Sequence, residues 1–403
     1  MIFVGIDWSE KRHDLCLLNK EGGVLARRRI EDSPAGLTQL QTLIAEHAED
    51  PAQVVICIEK PQGLLVRALQ AADYLIYPVN PLSASRYRER HTLSGGKSDA
   101  ADALMLADLV RTDRQRHRPL AEDSELAEGI KILARSHKSL IWTRQQLGNQ
   151  LRSALLGFYP GALEAFADDL CGLDALSLLK QAPTPDQGRH LSLAKISSAL
   201  RAAGRRNLEQ RAAGIQHALR APRLAQPQLV AQAYGVSVAS LAGVLQEVIA
   251  NIEHQEKELG SWLQRHPDAE IYLSLPGLGN VLSARVLAEF GDDPNRFHDG
   301  KARKNYAGTS PITRASGRSK VVMARFIRND RLVDACQLWA FSALSASPGA
   351  RRCYDAQRAN HKGHEEALRI LANRLIGILH GCLRHRQLYS EDVAWPAPTE
   401  AAA

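Results

Sequence analysis

The sequence predicts an α/β unit at the N-terminus followed by mainly helical units, an α/β plus α protein. Three observations predict this. Short apolar, β-branched runs alternate with helical patterns over residues 1–117. Apolar residues at seven-residue spacing then mark two long helices. Beyond about residue 269, glycine-broken turns separate further helical segments.

In the first unit, "IFVGIDW" reads as a buried strand. "HDLCLLN", the turn "KEGG" and "VLARRRI" read as an antiparallel continuation. A helix over roughly 34–48 opens on Ser33 and Pro34, a good N-cap and first-turn pair. "QVVICIE" is a strand, "GLLVRALQAA" a helix, "YLIYPVN" a strand and "KSDAADALMLADLVR" an amphipathic helix. The order βββαβαβα is the one a ribonuclease-H-like fold produces. Actin-like ATPases share that fold, but they cradle phosphate in a glycine- and threonine-rich turn after the first strand. Here the turn is "DWSEKRHD", without glycine, which disfavours an ATPase.

Residues 118–268 read as a helical region. Leu126, Leu133, Leu140, Leu147 and Ala154 fall one heptad apart. Ile130, Leu151 and Phe158 form a second seam, broken by His137 and Arg144. A second helix over 236–265 places Val238, Leu245, Ile252 and Leu259 in register. Together they suggest a coiled-coil stalk, either within one chain or between chains. An arginine-rich, proline-punctuated insertion (about 160–230) lies between the arms. Residues 269–388 form the last unit, and 389–403 read as a disordered tail.

The 403 residues carry a formal net charge of +7, with arginine clusters in the middle and C-terminal thirds. That balance suggests a polyanionic partner. The six cysteines show no CxxC spacing, so neither a zinc site nor a disulfide framework is indicated. The N-terminus lacks signal-peptide character, and no apolar run approaches the roughly 20 residues a membrane span needs. The expectation is a cytoplasmic protein with no membrane partner.

Four acids stand out. Asp7 and Glu59 end apolar strands, and Asp99 and Asp102 lie at i and i+3 of a helix. The latter spacing puts both side chains on one face, about 5–6 Å apart at Cβ. Brought together, four carboxylates repel and need a counter-charge, which magnesium or manganese would supply to hard oxygen ligands. Asp14 and Asp108 are left out, the first as the polar start of a strand, the second as lying off the Asp99–Asp102 face.

The C-terminal unit begins with "LPGLG", which resembles a helix-hairpin-helix turn. Gly277 and Gly279 would let backbone N–H groups approach a phosphate. Lys301, Arg303, Lys304, Arg314, Arg318, Lys320, Arg325 and Arg328 crowd the following stretch as candidate nucleic-acid ligands. Ser316 sits among them in "SPITRASGRSKVVMARF". A serine needs activation to act as a nucleophile. Flanking arginines could hold the attacked phosphate. From these residues Ser316 is either part of a polar surface loop or a nucleophile among phosphate ligands. A metal-dependent junction-resolving nuclease and a non-catalytic binder of structured nucleic acid stand as alternatives to the family reading that follows.

"GIDWS", "ICIEKP", "KSDAADA", "LPGLGNVLSARVLAEFGD", "YAGTSPITRASGRSK" and "GHEEALRILANRLI" occur in that order. The set resembles the DEDD-type insertion-sequence transposases of insertion-sequence family 110, over nearly the whole chain. The resemblance implies a RuvC-like N-terminal domain and a C-terminal transposase domain bearing a catalytic serine. It implies that Asp7, Glu59, Asp99 and Asp102 are the DEDD set and that Ser316 forms a 5′-phosphoserine intermediate. It further implies donor and target DNA as substrates and guidance by a structured bridge RNA. A dimer assembling to a tetramer, with acids and serine from different protomers, is implied as well, in a bacterial, nucleoid-associated protein.

Overall fold

The computed structural model describes residues 1–91, 98–326 and 328–396. The chain forms two compact units, Met1–Glu122 and Asp123–Ala403. The first boundary falls a few residues past the expected 117. The expected boundary at 268 is crossed by one continuous core, described below.

In the first unit the strands are β1 (Ile2–Asp7), β2 (Arg12–Leu18), β3 (Val24–Glu31), β4 (Val54–Ile58) and β5 (Leu75–Pro78). The helices are α1 (Pro34–Ala45), α2 (Leu64–Ala71), α3 (Pro81–His91) and α4 (Asp99–Asp113). Ser33 caps α1 by accepting from Gly36 N at 3.1 Å, as its sequence predicts. Helix α3 was not foreseen, because its "SRYRER" stretch has no apolar periodicity. The sheet order is β3-β2-β1-β4-β5. The β1–β2 and β2–β3 pairs are antiparallel, and β1–β4 and β4–β5 are parallel.

Strand parity sorts the two faces. Ile2, Val4, Ile6, Val54, Ile56 and Ile58 pack with Leu40 and Leu43 of α1 and Leu65 and Leu69 of α2. Phe3, Val55 and Cys57 pack on the other face with Tyr87 of α3 and Leu106 and Val110 of α4. Gly5 lies on this second face. A Cβ there would stand 1.9 Å from the Ala103 carbonyl oxygen, so only glycine lets α4 lie directly on β1.

The second unit is built on two long antiparallel helices, α5 (Glu125–Phe158) and α11 (Gln228–Gln264). At 1.5 Å per residue each runs about 50 Å. Trp262 fits against Gly129, and Tyr234 stacks on Phe158 with centroids 4.9 Å apart. Val238, Leu245, Ile252 and Leu259 of α11 are buried, as the heptad requires. In α5 the more deeply buried seam is the one with polar breaks. Ile130, Leu151 and Phe158 are buried, and so is His137, whose Nε2 lies 3.3 Å from Glu256 of α11. The heptad thus pairs two arms of the same chain. Helix α11 is long and apolar enough by composition to cross a membrane, contrary to the expectation that no such run exists. Its apolar stripe is covered by α5 and its neighbours.

Between the arms lie α6 (Pro160–Ala165), α7 (Leu173–Gln181), α8 (Pro185–Arg189), α9 (Leu193–Ala202) and α10 (Leu208–Arg220). The insertion is therefore a folded helical head, whose Leu176, Ile196, Leu200 and Leu219 share one core with Leu151 and Leu155 of α5 and Val238 and Leu245 of α11. Several of its arginines are spent inside it. Arg205 donates to Asp169 at 2.9 Å and Asp174 at 2.7 Å, Arg211 meets Asp168 at 3.4 Å, and Arg223 pairs with Glu164.

The remainder comprises α12 (Ala269–Ser274), α13 (Asn280–Phe290), α14 (Gly300–Tyr306), the strands β6 (Ile312–Ser316) and β7 (Ser319–Met323), α15 (Asp330–Ala346), α16 (Pro348–Ala359), α17 (His364–His385) and α18 (Glu391–Ala394). Its core centres on the fully buried Trp339 and takes in Ile130 and Ala134 of α5 and Leu259 and Leu263 of α11. That shared core is why 268 is not a boundary between compact units. The tail, expected to be disordered from 389, is ordered to 396. Trp395 packs on Gly349 and Glu391 accepts from Gly349 N at 2.6 Å. Residues 397–403 lie outside the described residues.

Candidate functional site

Parity decides where the strand acids point. Asp7 follows Phe3 and Gly5 on the α4 face of β1, and Glu59 continues the face of Val55 and Cys57. Because Gly5 lets α4 touch the sheet, the first turn of α4 comes to the same strand ends. Asp7, Glu59, Asp99 and Asp102 accordingly line one cleft of about 420 Å³. The four acids singled out in the sequence are brought together.

The cleft holds more than those four. Asp14 pairs with Asp7 across β1 and β2 and lines it too. The antiparallel register puts Asp14 there, a relation that pattern reading over β2 alone does not reveal. Asp108 stays out, holding Arg111 at 2.6 Å and Tyr87 Oη at 2.8 Å. Asp7 is pushed up to about 6 by burial first, then by the charges of Asp102, Asp99, Glu59 and Asp14. A carboxyl that resists ionisation among four others marks a place where positive charge is wanted.

Protein cations answer part of that demand. Arg88 of α3 meets Asp102 at 2.7 Å, and Asp102 is only 5% exposed. Arg29 of β3 meets Asp14 at 2.9 Å and reaches Asp99 at 3.5 Å. Lys60 lies 3.5 Å from the centre of the Trp8 ring. Sequence reading missed Arg88 because α3 itself was missed. The density of "SRYRER" just before "KSDAADA" was the available signal.

The donor set fits a hard divalent cation in chemistry, being all carboxylate oxygen. Among the described residues, no three His, Cys, Asp or Glu groups stand close enough to hold one ion as they are arranged.

Ser316 lies elsewhere, in the second unit. It is the last residue of β6, and Gly317 and Arg318 form a two-residue turn to Ser319. Gly317 takes φ +56°, and Arg318 is not among the residues with positive φ. That combination is a type II′ turn, which needs glycine first. The glycine-broken loop expected from sequence is thus a β-hairpin, exposed from Thr313 to Ala324. Cross-strand partners share a face. Arg314, Ser316, Ser319 and Val321 are on one side, and Ala315 and Lys320 on the other.

Both ends of the hairpin are anchored. Before β6, Asn373 of α17 donates to Thr309 at 3.1 Å and Ser310 at 3.2 Å. After β7, Asn329 caps α15 and donates to Glu289 at 2.7 Å. Glu289 is gripped by Arg135 through two bonds of 2.9 Å.

Not every expected nucleic-acid ligand is available. Lys301, Arg314, Arg318, Lys320 and Arg328 are exposed, though Arg328 bonds Asp330 at 3.1 Å. Lys304 and Arg325 are half-buried. Arg303 is a correction: it is 8% exposed, with its guanidinium over Phe290 and Phe297 at 5.1 and 4.7 Å. Its charge serves an aromatic core. Gly277, with φ +80°, abuts the α15 backbone at Ala343, so its lack of a side chain is explained by packing. Gly279, at the N-cap of α13, has open space where a Cβ would be.

Comparison with known proteins agrees in both units. Residues 4–160 match the family model for the DEDD transposase of IS110, described as a transposase. Residues 269–355 match the transposase family IS116/IS110/IS902. The chain is 44% identical to the "Mini-circle putative transposase for IS117" of Streptomyces coelicolor, over all of this chain and 98% of that protein. It is 30% identical to the 42 kDa protein of insertion element IS900 from Mycobacterium paratuberculosis, over all of this chain and 99% of that protein. It is 28% identical to the 44.8 kDa protein of insertion element IS116 from Streptomyces clavuligerus, over 98% of this chain and 97% of that protein.

Proposed function

This chain belongs to the IS110 family of insertion-sequence transposases, and from that premise we propose that it cleaves and rejoins DNA through Ser316, supported by a divalent cation on its acid set. The observation that carries the reading is a serine at the tip of an exposed basic hairpin, in a chain that also gathers five carboxylates in one cleft. The strand order, with three antiparallel strands followed by two parallel ones, supports a ribonuclease-H-like, RuvC-like first unit.

Ser316 Oγ attacks phosphorus, the bond to the 3′ oxygen breaks, and a 5′-phosphoserine remains. Arg314 shares the Ser316 face and would hold a phosphate oxygen. Residues 312–323 contain no histidine or carboxylate, so the base that takes the serine proton comes from outside the hairpin. Asp7, Glu59, Asp99 and Asp102 would hold magnesium or manganese, which supplies positive charge to the attacked phosphate and the leaving oxygen. We assign the two sites to different chains of a dimer that assembles to a tetramer, with a structured bridge RNA choosing donor and target DNA.

The test is a denaturation-resistant protein–DNA adduct. Wild type should form it on element-end DNA with its RNA, and Ser316→Ala should not. An adduct that survives Ser316→Ala removes the nucleophile. Cleavage without any adduct would mark a metal nuclease.

A further inference from the structure

Asp102 is among the few buried acids of the described residues, and its partner in the cleft is Arg88. We propose that Arg88 is a resident counter-cation, which a divalent metal must displace from Asp102 before the acid set can close around it. This rests on the reading of Asp7, Glu59, Asp99 and Asp102 as the metal-holding set.

A buried carboxylate without a partner is costly, so a chain that folds before it meets metal needs a cation in the cleft. Arg88 meets that need but does not fill its seat as a structural arginine does. Its Nη2 bonds Asp102 at 2.7 Å, while its Nε is buried without a hydrogen-bond partner. Arg135 in the second unit shows the contrast: Nε and Nη2 both bond Glu289, at 2.9 Å each. A fork with one prong unspent is held less firmly than a bidentate one.

Geometry supports the competition. The bond to Arg88 occupies Asp102 Oδ1, an oxygen that a metal would also claim. With Asp102 so engaged, no three acidic groups among the described residues converge on one point. Helix α3 need not move for the exchange. Tyr87, one residue earlier, is fixed to Asp108 at 2.8 Å and to Thr112 at 3.0 Å. A long arginine side chain can leave by rotation of its own bonds. Once released it carries its donors to the cleft rim, where a phosphodiester would take them.

The experiment titrates the full-length protein, free of nucleic acid, with Mn²⁺ and counts free ion by electron paramagnetic resonance. Arg88→Met should bind Mn²⁺ about tenfold more tightly than wild type, as expected when one competing charge pair is removed. Arg88→Lys, which keeps the charge but loses the fork, should fall between them. It also carries the test if circular dichroism shows that Arg88→Met does not fold. Asp102→Asn should bind more weakly than all three. Unchanged or weaker binding in the Arg88 variants overturns the proposal and makes Arg88 a positioning partner of Asp102. Failure of wild type and Arg88 variants alike to bind Mn²⁺ overturns the metal-holding reading itself, and the competition falls with it.

Discussion

Ser316 and Ser319 face each other as the last cross-strand pair of the hairpin formed by β6 and β7, on either side of the Gly317–Arg318 turn. Two hydroxyls on one face, in one cationic setting, make the nucleophile assignment demanding. Ser316→Ala should abolish cleavage and adduct while leaving RNA and DNA affinity within about twofold, since no packing is lost at an exposed residue. Ser319→Ala should keep substantial activity. Peptide mapping of the adduct checks both, and a phosphate found on Ser319 would reverse the roles.

The hairpin itself depends on a buried ion pair. Glu289 is 5% exposed, and its pKa lies below the usual carboxylate range. Burial pushes it up, and the bonds from Arg135 and Asn329 more than offset that. Arg135→Ala should destabilise the chain by about 3–5 kcal/mol, because the buried carboxylate loses its bidentate ion-pair partner and keeps the bond from Asn329. Arg135→Met with Glu289→Leu should cost less than the single change. Urea unfolding measures the difference.

A pH dependence follows from Asp7. Its folded value of about 6 exceeds the ordinary 3.8, so the fold prefers the protonated form. That stabilising contribution is fully present below 3.8 and is lost as pH rises through about 6. Asp7→Asn mimics the protonated state. In chelator it should raise the melting temperature at pH 8 and leave it unchanged near pH 3.5. An equal shift at both values would mean that the cleft does not repel Asp7.

Burial separates the cations by role. Exposed Arg314 and Lys320 should each reduce the slope of log affinity against log salt by about 1 when changed to alanine. Arg303→Met should leave that slope unaltered, because the guanidinium lies over Phe290 and Phe297. Binding should also favour a structured RNA over duplex DNA of equal length. Titrations at several salt concentrations give both results, and equal affinity for the two would remove the RNA-guided reading.

Sharing of the site between chains has its own readout. Mixing inactive Ser316→Ala with inactive Asp102→Ala should restore part of the activity, because some sites then assemble from intact halves. No recovery, with mixed oligomers demonstrated, would return acids and serine to the same chain.

The sequence by itself determined the strand-helix order of the first unit apart from α3, the two long helices, the four acids and the position of Ser316 in a basic, glycine-turned segment. Each is local: period 2, period 3.5, a cap, a charge, a glycine. Only the tertiary structure decided which charges meet. Asp14 joins the cleft through the β1–β2 register, and Arg88 through a helix that carries no periodic signal. Arg303 leaves the nucleic-acid surface because α14 buries it against Phe290 and Phe297. The heptad could not say whether its partner was its own chain, since packing within and between chains satisfies the same spacing. The contact of Trp262 with Gly129 settles that the two arms pack together. Sequence spacing fixes what one element presents, whereas burial and pairing depend on which element lies opposite.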